Sequence, residues 1–170
     1  GPDVTLVSPL SDLFPAGIYL FKFTLPGTIN GNAAPRWAKT LNERYGAMMA
    51  ARALMITALA AVGHTPDVRA IFCSYGYTEG ITGGALTTFA ADLRQLVSDL
   101  RTDWTTQAVP ALIMERPSRF KTWAAGAVDS IRAAIDALPV SFGANCKVAN
   151  SDDLPLDITQ NYPTGFGNLL

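Results

Sequence analysis

A chain of 170 residues is long enough for one hydrophobic core and too short for two comfortable domains, and its composition, 49% apolar and 16% charged, points to extensive burial within that core or against other chains. A formal net charge of -1, with no stretch that gathers Lys and Arg on one face, removes any long-range attraction for phosphate backbones and argues against a nucleic-acid partner. No segment reaches the roughly 18 consecutive apolar residues of a membrane span, and no basic region precedes an apolar one at the N-terminus, so no membrane partner is expected.

Gly1-Pro2 reads either as a protease scar or as native sequence within a longer polypeptide, and Asp3 to Phe14, with Ser8-Pro9 in its middle, as a short strand or a helical turn. Ile18-Tyr-Leu-Phe-Lys-Phe-Thr24 is a short apolar run bounded by Pro and Gly, which predicts a buried strand. It breaks into the glycine-bearing loop Leu25-Pro-Gly-Thr-Ile-Asn-Gly31, and ligands of open α/β sheets gather at such strand ends. Pro35 suits a helix's first turn, and Trp37, Leu41, Tyr45, Met48, Met49, Ile56 and Leu59 recur at helical spacing up to Gly63. Val68 to Tyr75 is the next predicted strand, running out into Gly76-Tyr-Thr-Glu-Gly80.

Leu86, Phe89, Leu93, Leu96, Val97, Leu100 and Trp104 mark a second amphipathic helix with Asp92, Arg94, Gln95 and Asp99 outward. Val109 to Met114 is a third strand with Pro110 at its start, where a missing N–H is tolerated. Ser118 is the expected cap of a third helix through Phe120, Trp123, Val128, Ile131, Ile135 and Leu138, closed by Pro139. Asn145 to Asn150 is a fourth strand, followed by a polar tail with Asp152, Asp153, Asp157 and Gln160. Strand and helix alternate throughout, so right-handed crossovers should build a parallel sheet.

Cys73 and Cys146 sit in apolar runs and read as buried free thiols. No His/Cys cluster has metal-ligand spacing, and Asp152, Asp153 and Asp157 read as a solvated turn rather than a calcium site. Neither a metal nor another cofactor is expected.

Three segments together resemble the carbohydrate-esterase branch of the SGNH hydrolases, which includes the sialate O-acetylesterases. Ile18 to Thr28 is similar to the family's second block, a strand with a lysine leading to an oxyanion loop; Ile71 to Glu79 occupies the place of its third-block strand end; and Asp157-Ile-Thr-Gln160, with Tyr162 and Gly165, resembles its final Asp-x-x-His block. The resemblance implies a three-layer α/β sandwich with a flavodoxin-like parallel sheet. It also implies an oxyanion-like loop at Gly27, Thr28 and Gly76, and a catalytic aspartate position at Asp157.

The chain departs from that pattern at the chemistry. The family's nucleophilic serine lies in a first block upstream of the second, and Ser8 and Ser11 stand too close to Ile18 to replace it. Gln160, an amide with no useful proton chemistry near neutral pH, stands at the histidine position, and Pro26 removes one backbone N–H from the oxyanion loop. Tyr75 and Tyr77 replace the third-block Gln and Glu, leaving Tyr75, Tyr77 and Glu79 as candidate ligand contacts. His64, after Gly63 at a helix-to-strand turn, belongs to the opposite end of the sheet.

The resemblance further implies that a central first strand is absent from this sequence. Its slot would be filled by a preceding segment of the polypeptide, by another subunit, or by Val4–Val7. The expected function is a non-catalytic SGNH-like module, structural or glycan-contacting, with a virion or extracellular setting such as a bacteriophage tail or capsid surface. The alternative is an active carbohydrate O-acetylesterase whose serine lies upstream.

Overall fold

The computed structural model describes residues 18–23, 25, 27–30, 35–117 and 124–150, and the backbone of 156–157 and 162–163. After a short 3-10 turn at Lys39–Leu41 the order is α1 (Arg44–Ala61), β1 (Ala70–Cys73), α2 (Tyr77–Thr82), α3 (Leu86–Asp103), β2 (Ala111–Arg116), α4 (Ala127–Asp136), α5 (Leu138–Phe142) and β3 (Cys146–Asn150). The short segments β4 (Leu156–Asp157) and β5 (Tyr162–Pro163) pair antiparallel.

The protein is an α/β structure, built among the described residues on an open, three-stranded parallel sheet in the order β1-β2-β3. That much is what the alternating pattern predicts, and it is compatible with a three-layer sandwich. Ile71 pairs with Leu112 and Cys73 with Met114, while Leu112 pairs in turn with Cys146 and Met114 with Val148. Since side chains alternate across a strand, these residues share one face. Leu112, Met114 and Cys146 are fully buried there, with Ile71, Cys73 and Val148 packed against the same core.

Both crossovers step to the next strand in the same direction, and crossovers of the usual hand put their helices on one face. Accordingly α3 and α4 pack against each other. Phe89, Leu93, Leu96, Val97 and Leu100 of α3 and Ile131 and Ile135 of α4 are buried, each fully buried large side chain contributing about 1.5–3 kcal/mol. On the other face Lys147 and Ala149 are exposed and Phe72 is 52% exposed.

Several boundaries differ from the sequence expectations, each for a physical reason. The first helix starts at Arg44 rather than Pro35, because Asn42 adopts a left-handed φ of 55° and the Glu43 carboxylate turns back to accept from Arg36, both from its backbone N–H and from its guanidinium, the latter at 2.7 Å. The helical spacing that takes in Trp37 and Leu41 is interrupted there, and the Lys39–Leu41 turn stands apart from α1. Pro139 does not close a helix; it sits in the first turn of α5, where its missing N–H costs nothing. Gly76 to Gly80, expected as the run-out of the second strand, instead opens α2 (Tyr77–Thr82), with Gly76 as its N-cap. Ser118, Phe120, Trp123 and Val4–Val7 lie outside the described residues.

The predicted strand at Ile18–Thr24 is the main correction. Its described residues, 18–23, belong to no ladder, and Tyr19 and Leu20 are exposed. Their aromatic rings make side-chain contacts instead: Tyr19 on His64, Phe21 on Trp104, and Phe23 edge-on to Trp37, which in turn meets Tyr75. His64 and Trp104 lie ahead of β1 and β2 in the chain, and Tyr75 follows β1. The segment's hydrophobicity reflects ring packing rather than a place in the sheet.

Candidate functional site

The carboxyl ends of β1 and β2 gather most of the residues singled out in the sequence. β1 ends at Cys73, and Ser74, Tyr75 and Gly76 carry the chain into α2. Gly76 takes φ 97°, a conformation that L side chains rarely adopt, and its carbonyl accepts the Gly80 N–H at 2.8 Å. A Cβ on Gly76 would lie 2.6 Å from Ile131 Cγ2 and 3.1 Å from the Phe89 ring. Gly76 is thus packed closely against Phe89 of α3 and Ile131 of α4.

Two carboxylates flank α2. Glu79, 2% exposed, accepts the Ile29 backbone N–H at 2.6 Å. Glu115, near the end of β2 and also buried, accepts the Tyr77 hydroxyl at 2.9 Å and hydrogen-bonds Ser74. Burial, the dominant influence, pushes both carboxyls above the ordinary glutamate range, more than these hydrogen bonds lower them. A short helix is therefore clipped on one side to the 27–30 loop and on the other to the central strand.

The Gly27–Thr28 loop is also explained by architecture. A Cβ on Gly27 would collide with the Pro35 carbonyl and approach Trp37 Nε1 to 3.3 Å. Thr28 is buried and forms a parallel bridge with Arg36, its carbonyl accepting the Trp37 N–H at 2.8 Å. Tyr75 packs edge-on against Trp37 with ring centroids 5.4 Å apart, and burial raises its phenol well above the ordinary range.

The structure thus joins Ile29, next to Thr28, with Glu79, and Tyr77 with Glu115, and places Gly76 in the helix packing. Asp157 falls in β4, its backbone opposite Tyr162. Gln160 and Gly165 lie outside the described residues, as do Ser8, Ser11 and Pro26. His64 is exposed and packs against Tyr19 at 5.6 Å, in the turn after α1 and ahead of β1.

Glu115 and Ser74 belong to this candidate cluster, and the sequence reading does not single them out. The signal for Glu115 is its place, an acid following the apolar run Leu112-Ile-Met at the carboxyl end of a parallel strand, where sheet-end sites form.

Cys73 and Cys146 are both free, and their strands are separated by β2, with Cys73 opposite Met114 and Cys146 opposite Leu112, so they stand more than two strand spacings, over roughly 10 Å, apart and cannot be bridged. Burial pushes the Cys73 thiol up to about 12 and raises that of Cys146, leaving neither as a thiolate nucleophile near neutral pH. Among the described residues no group of three or more His, Cys, Asp or Glu side chains could hold a metal ion, and no helix is long and apolar enough to cross a membrane.

Comparisons with family models, with curated proteins and with solved structures find no match to this chain.

Proposed function

We propose that this chain is a non-catalytic α/β module with a structural or glycan-contacting role, completed along β1 by a strand from the same polypeptide or from another subunit. The observation that carries the reading is the engagement of the sheet-end acids: Glu79 holds the Ile29 amide, and Glu115 holds Ser74 and Tyr77. General acid–base work needs a group in hydrogen-bond reach of a reacting proton, and these two acids already serve fixed internal partners. The departures at Gln160 and Pro26 from the SGNH pattern point the same way.

Completion by another strand is supported by the β1 edge. Among the described residues Ala70–Cys73 has a ladder on one side, to β2. Its four residues carry no charge, whereas the opposite edge strand, β3, carries Lys147. Exposed sheet edges are usually guarded by charge or proline, so an uncharged edge suits a strand partner. A bacteriophage tail or capsid surface is the setting that the SGNH resemblance suggests.

The test is hydrolysis of p-nitrophenyl acetate by the full 170-residue chain, beside Ser74→Ala and Glu115→Gln variants. The expected result is a rate equal in all three and no greater than that of the unfolded chain. Turnover by the folded chain that either substitution removes would overturn the reading and assign the sheet end to an esterase.

A further inference from the structure

A groove of about 370 Å³ opens at the amino ends of the strands, where the last turns of α3 meet the lead-in to β2 and the end of α5. It is lined by Ser98, Arg101, Thr102, Thr105, Val109 and Phe142, at the end of the sheet opposite the Tyr77–Glu115 contact. Arg101 is half-buried and held in place. Its Nη1 donates to the Phe142 carbonyl at 3.2 Å, and its guanidinium carbon stands 5.5 Å from the centre of the Phe142 ring.

That bond ties α3 to α5, but it accounts neither for the charge of Arg101 nor for its remaining donors. Arg36, Arg69 and Arg116 each have a carboxylate within ion-pair reach, whereas Arg101 has none among the described residues. A cation drawn partly out of water normally has a counter-charge. The Arg101 Nε, moreover, is a buried donor with no hydrogen-bond partner among the described residues. With Nη1 engaged by Phe142, the Nε–Nη2 edge remains, and two such parallel donors are what grips a carboxylate.

The rest of the lining does not repel an anion. The Thr102 and Thr105 hydroxyls donate to the Ser98 and Arg101 carbonyls at 2.9 and 2.6 Å, and Arg101 covers the Phe142 carbonyl, so these acceptors at the two helix ends are taken. No acid lines the groove. Arg101 and Lys147 both act on the neighbouring Cys146 thiol as positive charges, opposing the effect of its burial. Two walls are apolar, the Phe142 ring and Val109, whose side chain is 49% exposed.

We infer that this groove binds a small organic anion, a monocarboxylate carrying an apolar chain or ring. The carboxylate takes the open edge of Arg101, and the apolar part lies against Val109 and Phe142. The volume falls within the usual range of about 300–1,000 Å³ for small-ligand sites.

The test is titration of the full chain with sodium benzoate and sodium hexanoate, followed by calorimetry and by the arginine Nε–H signals in NMR spectra, with acetate and inorganic phosphate alongside. A saturable shift of the Arg101 signal is expected with benzoate and hexanoate. Acetate and phosphate should bind at least tenfold more weakly, because neither brings more than one carbon to the apolar walls. Arg101→Lys keeps the charge but not the paired donors and should weaken binding about tenfold. Val109→Glu leaves Arg101 and its bond to Phe142 in place, sets a negative charge at the groove, and should weaken binding at least as much. Tyr77→Phe, at the other end of the sheet, should change nothing, and unchanged melting temperatures would show the variants folded. Binding that survives both groove substitutions would overturn the site. Phosphate bound more tightly than benzoate would overturn the ligand class. Absence of saturation with every probe would overturn the inference while leaving the function proposed above untouched.

Discussion

The Glu79 carboxylate and the Ile29 backbone N–H meet at 2.6 Å across fifty residues of sequence, in a position where water has almost no access to either. This bond ties the loop after the aromatic segment to the helix after β1. Replacing Glu79 with alanine leaves a buried N–H without its acceptor, a loss of about 1–3 kcal/mol. Glu79→Gln keeps an amide oxygen in reach and should cost about 1 kcal/mol or less. Urea unfolding of the two variants checks the order, and equal losses would show that the acceptor is not what matters.

Glu79 and Glu115 also give stability a pH dependence of defined sign. Both are raised by burial above the ordinary value of 4.5, so the fold favours their protonated forms. Their contribution is complete below that ordinary value and is lost as pH rises through the folded-state values. Asp103 acts in the other sense. Burial alone would raise it, but hydrogen bonds from Lys39 and Tyr45 leave it lowered, so its contribution is present at higher pH and lost as pH falls through its folded-state value. Melting temperatures of the chain should therefore decline from mildly acidic toward neutral pH, and the double substitution Glu79→Gln, Glu115→Gln should flatten that decline. A decline of the same slope in the double variant would assign it to other groups.

Gly76→Ala should be among the most damaging single changes. It places a Cβ at 2.6 Å from Ile131 at a φ of 97°, joining backbone strain of about 1–2 kcal/mol to overpacking of about 1–3 kcal/mol. Gly63→Ala provides the control, because Gly63 has a similar φ of 80° but open space around its Cα, so it carries the strain alone. Thermal denaturation should separate the two variants by several degrees.

Phe72 is more than half exposed on a strand whose outer edge has no ladder among the described residues. Phe72→Lys should change the stability of the isolated chain by about 0.5 kcal/mol or less, as surface substitutions usually do, while reducing association at high concentration. Sedimentation of the two proteins over a concentration series reads this directly. Equal association in both would place the contact elsewhere.

The elements that sequence makes legible are those whose pattern and burial coincide. The α3 stripe from Leu86 to Leu100 and the apolar core of β2 appear where the residues predict them, because one face of each meets the same core. Ile18–Phe23 misleads because an aromatic run is equally suited to ring packing, and nothing local tells a ladder from contacts to Trp104, Trp37 and His64. α2 is too short to show a helical period and begins at a glycine with positive φ, a turn signal in sequence. At the candidate site Gly76, Tyr77 and Glu79 are legible as a cluster. Their engagement is not, because it depends on Ile29 and Glu115, 50 and 38 residues away.

The sequential order of the three strands has a kinetic consequence. Each strand joins the one before it through one helical crossover of two helices, α2 and α3 and then α4 and α5, so the sheet can assemble by adding neighbours, with modest loop-closure entropy at each step. The aromatic segment 18–23 contributes no ladder to that process and is secured by ring contacts at its rim. It therefore docks on a framework that the later part of the chain builds.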